Sequence, residues 1–115
     1  MTESMSVMGR FYFRKTTEGN LIGEYSHRDC IRSFAEAASR TEKGSDWLGD
    51  YKTCWVEPPG FRFNKAHLTI SLKEGSASLY TLLWLPWRGR GEPLFRGEAM
   101  ISDDLLIGDY SDTEQ

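Results

Sequence analysis

A five-residue phrase occurs three times in this chain: Leu21-Ile22-Gly23-Glu24-Tyr25, Trp47-Leu48-Gly49-Asp50-Tyr51 and Leu106-Ile107-Gly108-Asp109-Tyr110. Each copy runs apolar, apolar, glycine, acid, tyrosine. Successive side chains of a strand point to opposite faces, so the first apolar residue, the glycine and the tyrosine share one side while the acid takes the other. A glycine between two bulky inward residues leaves a gap for an opposing ring and permits sharp coiling, which is what a small sheet closing on itself requires. The copies are unevenly spaced, 26 residues from Gly23 to Gly49 and 59 from Gly49 to Gly108, which excludes a solenoid of constant period. The phrase is therefore first a fold signature, pointing to a small antiparallel β-barrel.

The rest of the chain supplies strands to match. Phe11 and Phe13 alternate with Arg10, Tyr12 and Arg14, and Thr17-Glu18-Gly19-Asn20 reads as the turn into the first copy. Trp47, Gly49, Tyr51, Thr53 and Trp55 share one parity, and Glu57-Pro58-Pro59-Gly60 ends that strand by removing ladder donors. Ala66, Leu68, Ile70 and Leu72 form the cleanest alternation, followed by a Lys73-Glu74-Gly75-Ser76 turn. Residues 77–87 are apolar on both faces and read as a central strand covered on two sides. Phe95, Gly97, Ala99 and Ile101 alternate with Arg96, Glu98 and Met100, and Ser102-Asp103-Asp104 turns into the last copy. One segment changes period: Ile31, Phe34, Ala35 and Ala38 fall at i, i+3, i+4 and i+7 behind a capping Asp29, predicting a short helix within 29–40. The expectation is a single domain over residues 1–115, all-β, with about seven or eight strands and one short helix.

Composition limits the function classes. A net charge of −3 gives no bulk attraction to nucleic acid or an anionic membrane. The longest apolar stretch, Leu82 to Trp87, is far short of the roughly 20 residues of a spanning helix. The N-terminus lacks a basic segment followed by an apolar run, so a soluble, cytoplasmic protein is expected. Cys30 and Cys54 then read as two thiols rather than a disulfide. Aromatic content is the departure, at 13% with four Trp, and large rings both fill barrels and line cavities.

Strands carrying Trp/Leu-x-Gly-x-Tyr, in a one-domain length with a terminal strand of the same type, resemble the calycin superfamily of lipocalins, fatty-acid-binding proteins and avidin-like barrels. Where lipocalins carry Gly-x-Trp in the first strand, this chain reads Gly9-Arg10-Phe11-Tyr12. The resemblance implies a barrel that binds a small, mostly apolar compound inside.

On that reading Tyr25, Tyr51 and Tyr110 reach the interior. Trp55, Tyr80 and Trp84 extend an aromatic wall, and Arg96 enters from the edge to meet the carboxylate of an anionic amphiphile. The expected ligand is hydrophobic or amphiphilic. The alternative is a filled barrel serving as a structural or protein-interaction module, with exposed Phe61 and Trp87 helping to bind another protein or to form a homodimer. A small hydrolase or isomerase whose residues converge only in three dimensions is a lesser alternative. No catalytic pair is fixed by sequence: Glu24, Asp50 and Asp109 take the outward parity, and Asp103-Asp104 serves a turn. His27, Cys30, Cys54 and His67 lack the compact pairing of a zinc site, so no metal or cofactor is expected. The Arg88-Gly89-Arg90-Gly91 loop lacks the following helix and Lys-Ser/Thr of a phosphate loop.

Overall fold

A computed structural model describes residues 7–30, 32–42, 46–57, 62–89 and 91–112. Eight strands run in chain order: β1 Val7–Lys15, β2 Leu21–Ser26, β3 Ser33–Arg40, β4 Gly49–Glu57, β5 Arg62–Leu72, β6 Leu79–Pro86, β7 Phe95–Ser102 and β8 Leu105–Asp112. Each is antiparallel to the next, and β8 returns to β1 to close the barrel. The architecture is that of calycin-type barrels in general, and closure leaves no free sheet edge.

The helix expected within 29–40 is not there: Ser33–Arg40 is a strand, and no helix occurs among the described residues. Phe34, Glu36 and Ala38 are buried while Ser33, Ala35, Ala37 and Ser39 are exposed, a period of two. The segment satisfies both periods because its small alanines fit either face. Pairing with β2 and β4 on both sides satisfies the strand's backbone and turns Phe34, Glu36 and Ala38 inward, so tertiary context decides.

Elsewhere the expected parity holds. Phe11, Phe13, Tyr51, Thr53, Trp55, Ala66, Leu68 and Ile70 are buried, whereas Glu24, Asp50 and Asp109 are exposed. In β6 the inward set is Tyr80, Leu82 and Trp84; Leu79, Leu83 and Leu85 lie outside and are half-buried, so that strand is not covered on two faces. Leu72 and Ile101 are also exposed, at strand ends beyond the core.

Two of the repeated glycines, Gly23 and Gly108, lie against neighbouring backbones. A Cβ on Gly23 would lie 1.8 Å from the Tyr12 carbonyl oxygen, and one on Gly108 2.0 Å from that of Glu98. These strands coil so tightly that no side chain fits between them. The space-making role falls instead to Gly97, where a Cβ would press at 3.1 Å on both the Phe11 and Trp84 rings.

Four hairpin turns, joining β1–β2, β3–β4, β5–β6 and β7–β8, gather at one end of the barrel. The other end holds the β2–β3, β4–β5 and β6–β7 connections and both ends of the described chain. The two ends differ in how they are filled.

Candidate binding site

At the hairpin end the barrel is plugged. Tyr51 is fully buried, and its hydroxyl donates to the Trp47 carbonyl at 2.8 Å while accepting from Arg40 Nη2 at 2.7 Å. Arg40 also donates to the carbonyls of Leu48 (2.9 Å), Gly19 (3.3 Å) and Asp46, so one guanidinium ties three segments together. Its charge lies over the Tyr51 ring, 4.9 Å from the centroid. Burial raises the Tyr51 pKa, and Arg40 opposes that rise.

The open end contains a cavity of about 290 Å³. Its wall is aromatic: Phe11 from β1, Tyr25 from β2, Phe34 from β3, Trp55 from β4, Trp84 from β6, and Phe95 and Tyr110 from β7 and β8. The rings brace one another edge-on. Phe11 meets Trp84 at 5.6 Å and 84°, Trp55 meets Phe95 at 6.2 Å and 76°, and Phe95 meets Tyr110 at 5.8 Å and 89°. Met8, His27, Asp29 and Cys30 line the cavity from the start of β1 and the β2–β3 connection.

Two tyrosines of the repeat stand in this wall with their hydroxyls committed to backbone. Tyr25 donates to the Val56 carbonyl at 2.6 Å and Tyr110 to the Ser26 carbonyl at 2.9 Å. Burial, with the nearby Glu57 charge adding to it, raises the Tyr25 pKa; burial and the Glu36 and Glu57 charges push Tyr110 up to about 12. Both stay neutral across the physiological range.

Glu36 is the group that most defines the site. It lines the cavity from β3, yet the residue is only 6% exposed. Thr53 Oγ1 donates to its Oε2 at 2.6 Å, and Trp84 Nε1 donates to the same oxygen at 2.8 Å. Burial pushes its pKa up to about 7, against the lowering effect of those two hydrogen bonds. The proton therefore comes and goes near neutral pH. Glu57 also lines the cavity, its oxygens accepting from Trp55 Nε1 at 3.2 Å and Asn64 Nδ2 at 3.1 Å.

Of the residues expected at a site, Tyr25, Trp55, Trp84 and Tyr110 come together around the cavity. Tyr51 belongs to the plug at the opposite end. The reason lies in the strand bounds: the first and last copies begin with their strands, at Leu21 and Leu105–Leu106, whereas the middle copy starts at Trp47, two residues before β4. Tyr51 therefore stops short of the open end and faces Arg40 in register. Tyr80 is half-buried and outside the lining, and Arg96 is exposed on the outer face. Sequence reasoning passed over Glu36, Phe34, Phe11 and Phe95. The first two lay inside the expected helix, and reading that segment with a period of two would have put a carboxylate between two inward residues.

The remaining candidates separate. Cys30 and Cys54 are free thiols. His67 stacks on Trp87 outside the barrel, 4.9 Å apart and 7° from parallel, with Lys65 Nζ 5.0 Å from the Trp87 ring. Phe61 and Arg90 lie outside the described residues. No cluster of three or more His, Cys, Asp or Glu suited to a metal occurs among the described residues. Glu98 pairs with Lys73 on the surface at 2.9 Å.

The chain matches no protein-family model, no curated protein and no solved structure. What it shares with calycins is the barrel architecture.

Proposed function

We propose that this protein binds a small, largely apolar molecule in the open end of its barrel. The observation that carries the reading is the aromatic cavity with a buried carboxyl in its wall. A filled structural barrel has no use for such an arrangement, because a carboxyl placed among rings costs stability that an apolar side chain would not. At about 290 Å³ the space sits at the small edge of the roughly 300–1,000 Å³ typical of ligand sites, which suits one or two rings rather than a long acyl chain.

Calorimetric titration of the protein with phenethyl alcohol tests this. Saturable binding is expected, and Cys30→Trp, which places a large ring at the cavity lining, is expected to abolish it while the protein remains folded by circular dichroism. The absence of saturable heat at millimolar alcohol, or equal binding by the variant, would overturn the proposal.

A second reading, a homodimer joined through the outer face, draws on a row of apolar side chains crossing three strands. Tyr12, Ile107 and Met100 are cross-strand neighbours on β1, β8 and β7, and Met100 is 54% exposed. Sedimentation equilibrium decides it: a mass of one chain at high micromolar concentration removes the dimer.

A further inference from the structure

The geometry points to a cationic ligand, a small aryl-alkyl amine whose ammonium group meets Glu36 Oε1 inside the aromatic cavity. This rests on the binding reading above and adds the charge of the ligand.

Both hydrogen bonds to the Glu36 carboxylate end on Oε2, leaving Oε1 without a partner among the described residues. No buried side-chain oxygen or nitrogen of the described residues lacks a partner, so Oε1 is the atom through which this otherwise buried residue faces the cavity. An ionised carboxylate only accepts, and an ammonium group offers three donors in a charge-assisted bond.

Two further carboxylates, Asp29 and Glu57, line the cavity with Glu36. Around the cavity, β2 and the connection after it contribute Tyr25, His27, Asp29 and Cys30, β4 contributes Glu57, and β8 contributes Tyr110. β1, β6 and β7 contribute Phe11, Trp84 and Phe95, which do not titrate. Three carboxylates thus line the space with no Lys or Arg among the described lining residues. His27 Nδ1 already accepts from the Asp29 amide at 3.0 Å, and the two tyrosine hydroxyls donate to backbone, so none of these is committed to Oε1. Arg96, on the outside, offers nothing to an anion in the cavity. Aromatic faces attract cations, and one ring of this wall already carries one: the Arg32 guanidinium lies 5.6 Å from the Phe34 centroid. A carboxylate ligand would instead meet the carboxyls of Glu36 and Glu57 in the cavity wall, with the largely exposed Asp29 beside them.

The test compares phenethylamine, phenethyl alcohol and phenylacetate, alike in size and different in charge, by calorimetry on the full chain at about pH 8, where Glu36 is ionised. The amine is expected to bind at least tenfold more tightly than the alcohol, and phenylacetate most weakly. Glu36→Gln should erase the amine's advantage over the alcohol. Should that variant fail to fold, the wild-type protein alone suffices: amine affinity should fall about tenfold per unit as pH drops below about 7, because the amine must then displace a proton, while alcohol affinity stays level. Equal binding of amine and alcohol, or amine affinity unmoved by Glu36→Gln or by pH, would overturn the cationic assignment and leave the binding site standing. Failure of all three compounds to bind would overturn both.

Discussion

Replacing Glu36 with glutamine should strip one titration from the stability of the barrel. In the folded protein this carboxyl titrates at about 7 rather than its ordinary 4.5, because burial penalises the charged form. The difference of about 2.5 units, at about 1.4 kcal/mol per unit, corresponds to roughly 3–4 kcal/mol. The sign follows from proton counts: between pH 4.5 and 7 the folded state holds this proton and the unfolded chain has lost it. Stability is therefore full below about 4.5, declines as pH rises through the window, and levels off above about 7. Glutamine has nearly the same shape, and its carbonyl can accept from Thr53 and Trp84 as Oε2 does. The variant should match the wild type near pH 4 and exceed it by roughly 3–4 kcal/mol near pH 8. For a domain of this size that is a rise in Tm on the order of 10 °C. Urea denaturation of both proteins at half-unit pH steps measures the difference directly, and subtracting the two curves cancels every other titrating group. A difference that stays constant with pH would refute the assignment of a buried, neutralised carboxyl.

The plug at the other end should behave differently. Tyr51→Phe removes the hydroxyl joining Arg40 to the Trp47 carbonyl and should cost about 1–3 kcal/mol by urea denaturation, while leaving binding in the distant cavity unchanged. Gly108→Ala drives a Cβ to 2.0 Å from the Glu98 carbonyl oxygen and should destabilise the protein by more than about 3 kcal/mol; Gly91→Ala, whose Cβ would meet nothing nearer than Pro86 Cγ at 3.8 Å, should stay within about 0.5 kcal/mol of the wild type. Leu68→Ala, at a fully buried core position on β5, should cost about 2–5 kcal/mol in the same assay. Because Cys30 and Cys54 are free, adding reductant should leave the urea midpoint where it is, and the unfolded chain should titrate two thiols.

The barrel was largely legible because most strands bury one face and expose the other, and a period of two records that fact wherever large residues alternate with charged ones. β5 is the plainest case, with Ala66, Leu68 and Ile70 buried against exposed Lys65 and half-buried His67 and Thr69. β3 was not legible for the complementary reason. Its alanines fit either period, and Glu36 looks like the solvent side of a helix until closure of the sheet fixes it indoors. The site suffered from a second gap. Alternation says which face a residue takes but not how far along the barrel it lies; depth depends on where each strand starts relative to its neighbours, which separates Tyr51 from Tyr25 and Tyr110 despite a similar local phrase. Arg40 was unreadable as a plug because, Tyr51 apart, its partners are backbone carbonyls, which leave no mark in a sequence.

Closure of the ring through β1 and β8 also shapes how the chain acquires its structure. Seven of the eight strand pairs join neighbours in sequence, whereas Phe11 meets Gly108 across almost the whole chain. Closing a loop of about 100 residues rather than about 10 costs about 2 kcal/mol more in chain entropy, so the hairpins can form early and the seam comes late. Until the seam forms, β1 and β8 carry open edges, and a second copy's β8 fits β1 as well as its own does. The seam thus sets both the folding time of the barrel and the form its misassembly takes, an exchange of terminal strands between chains.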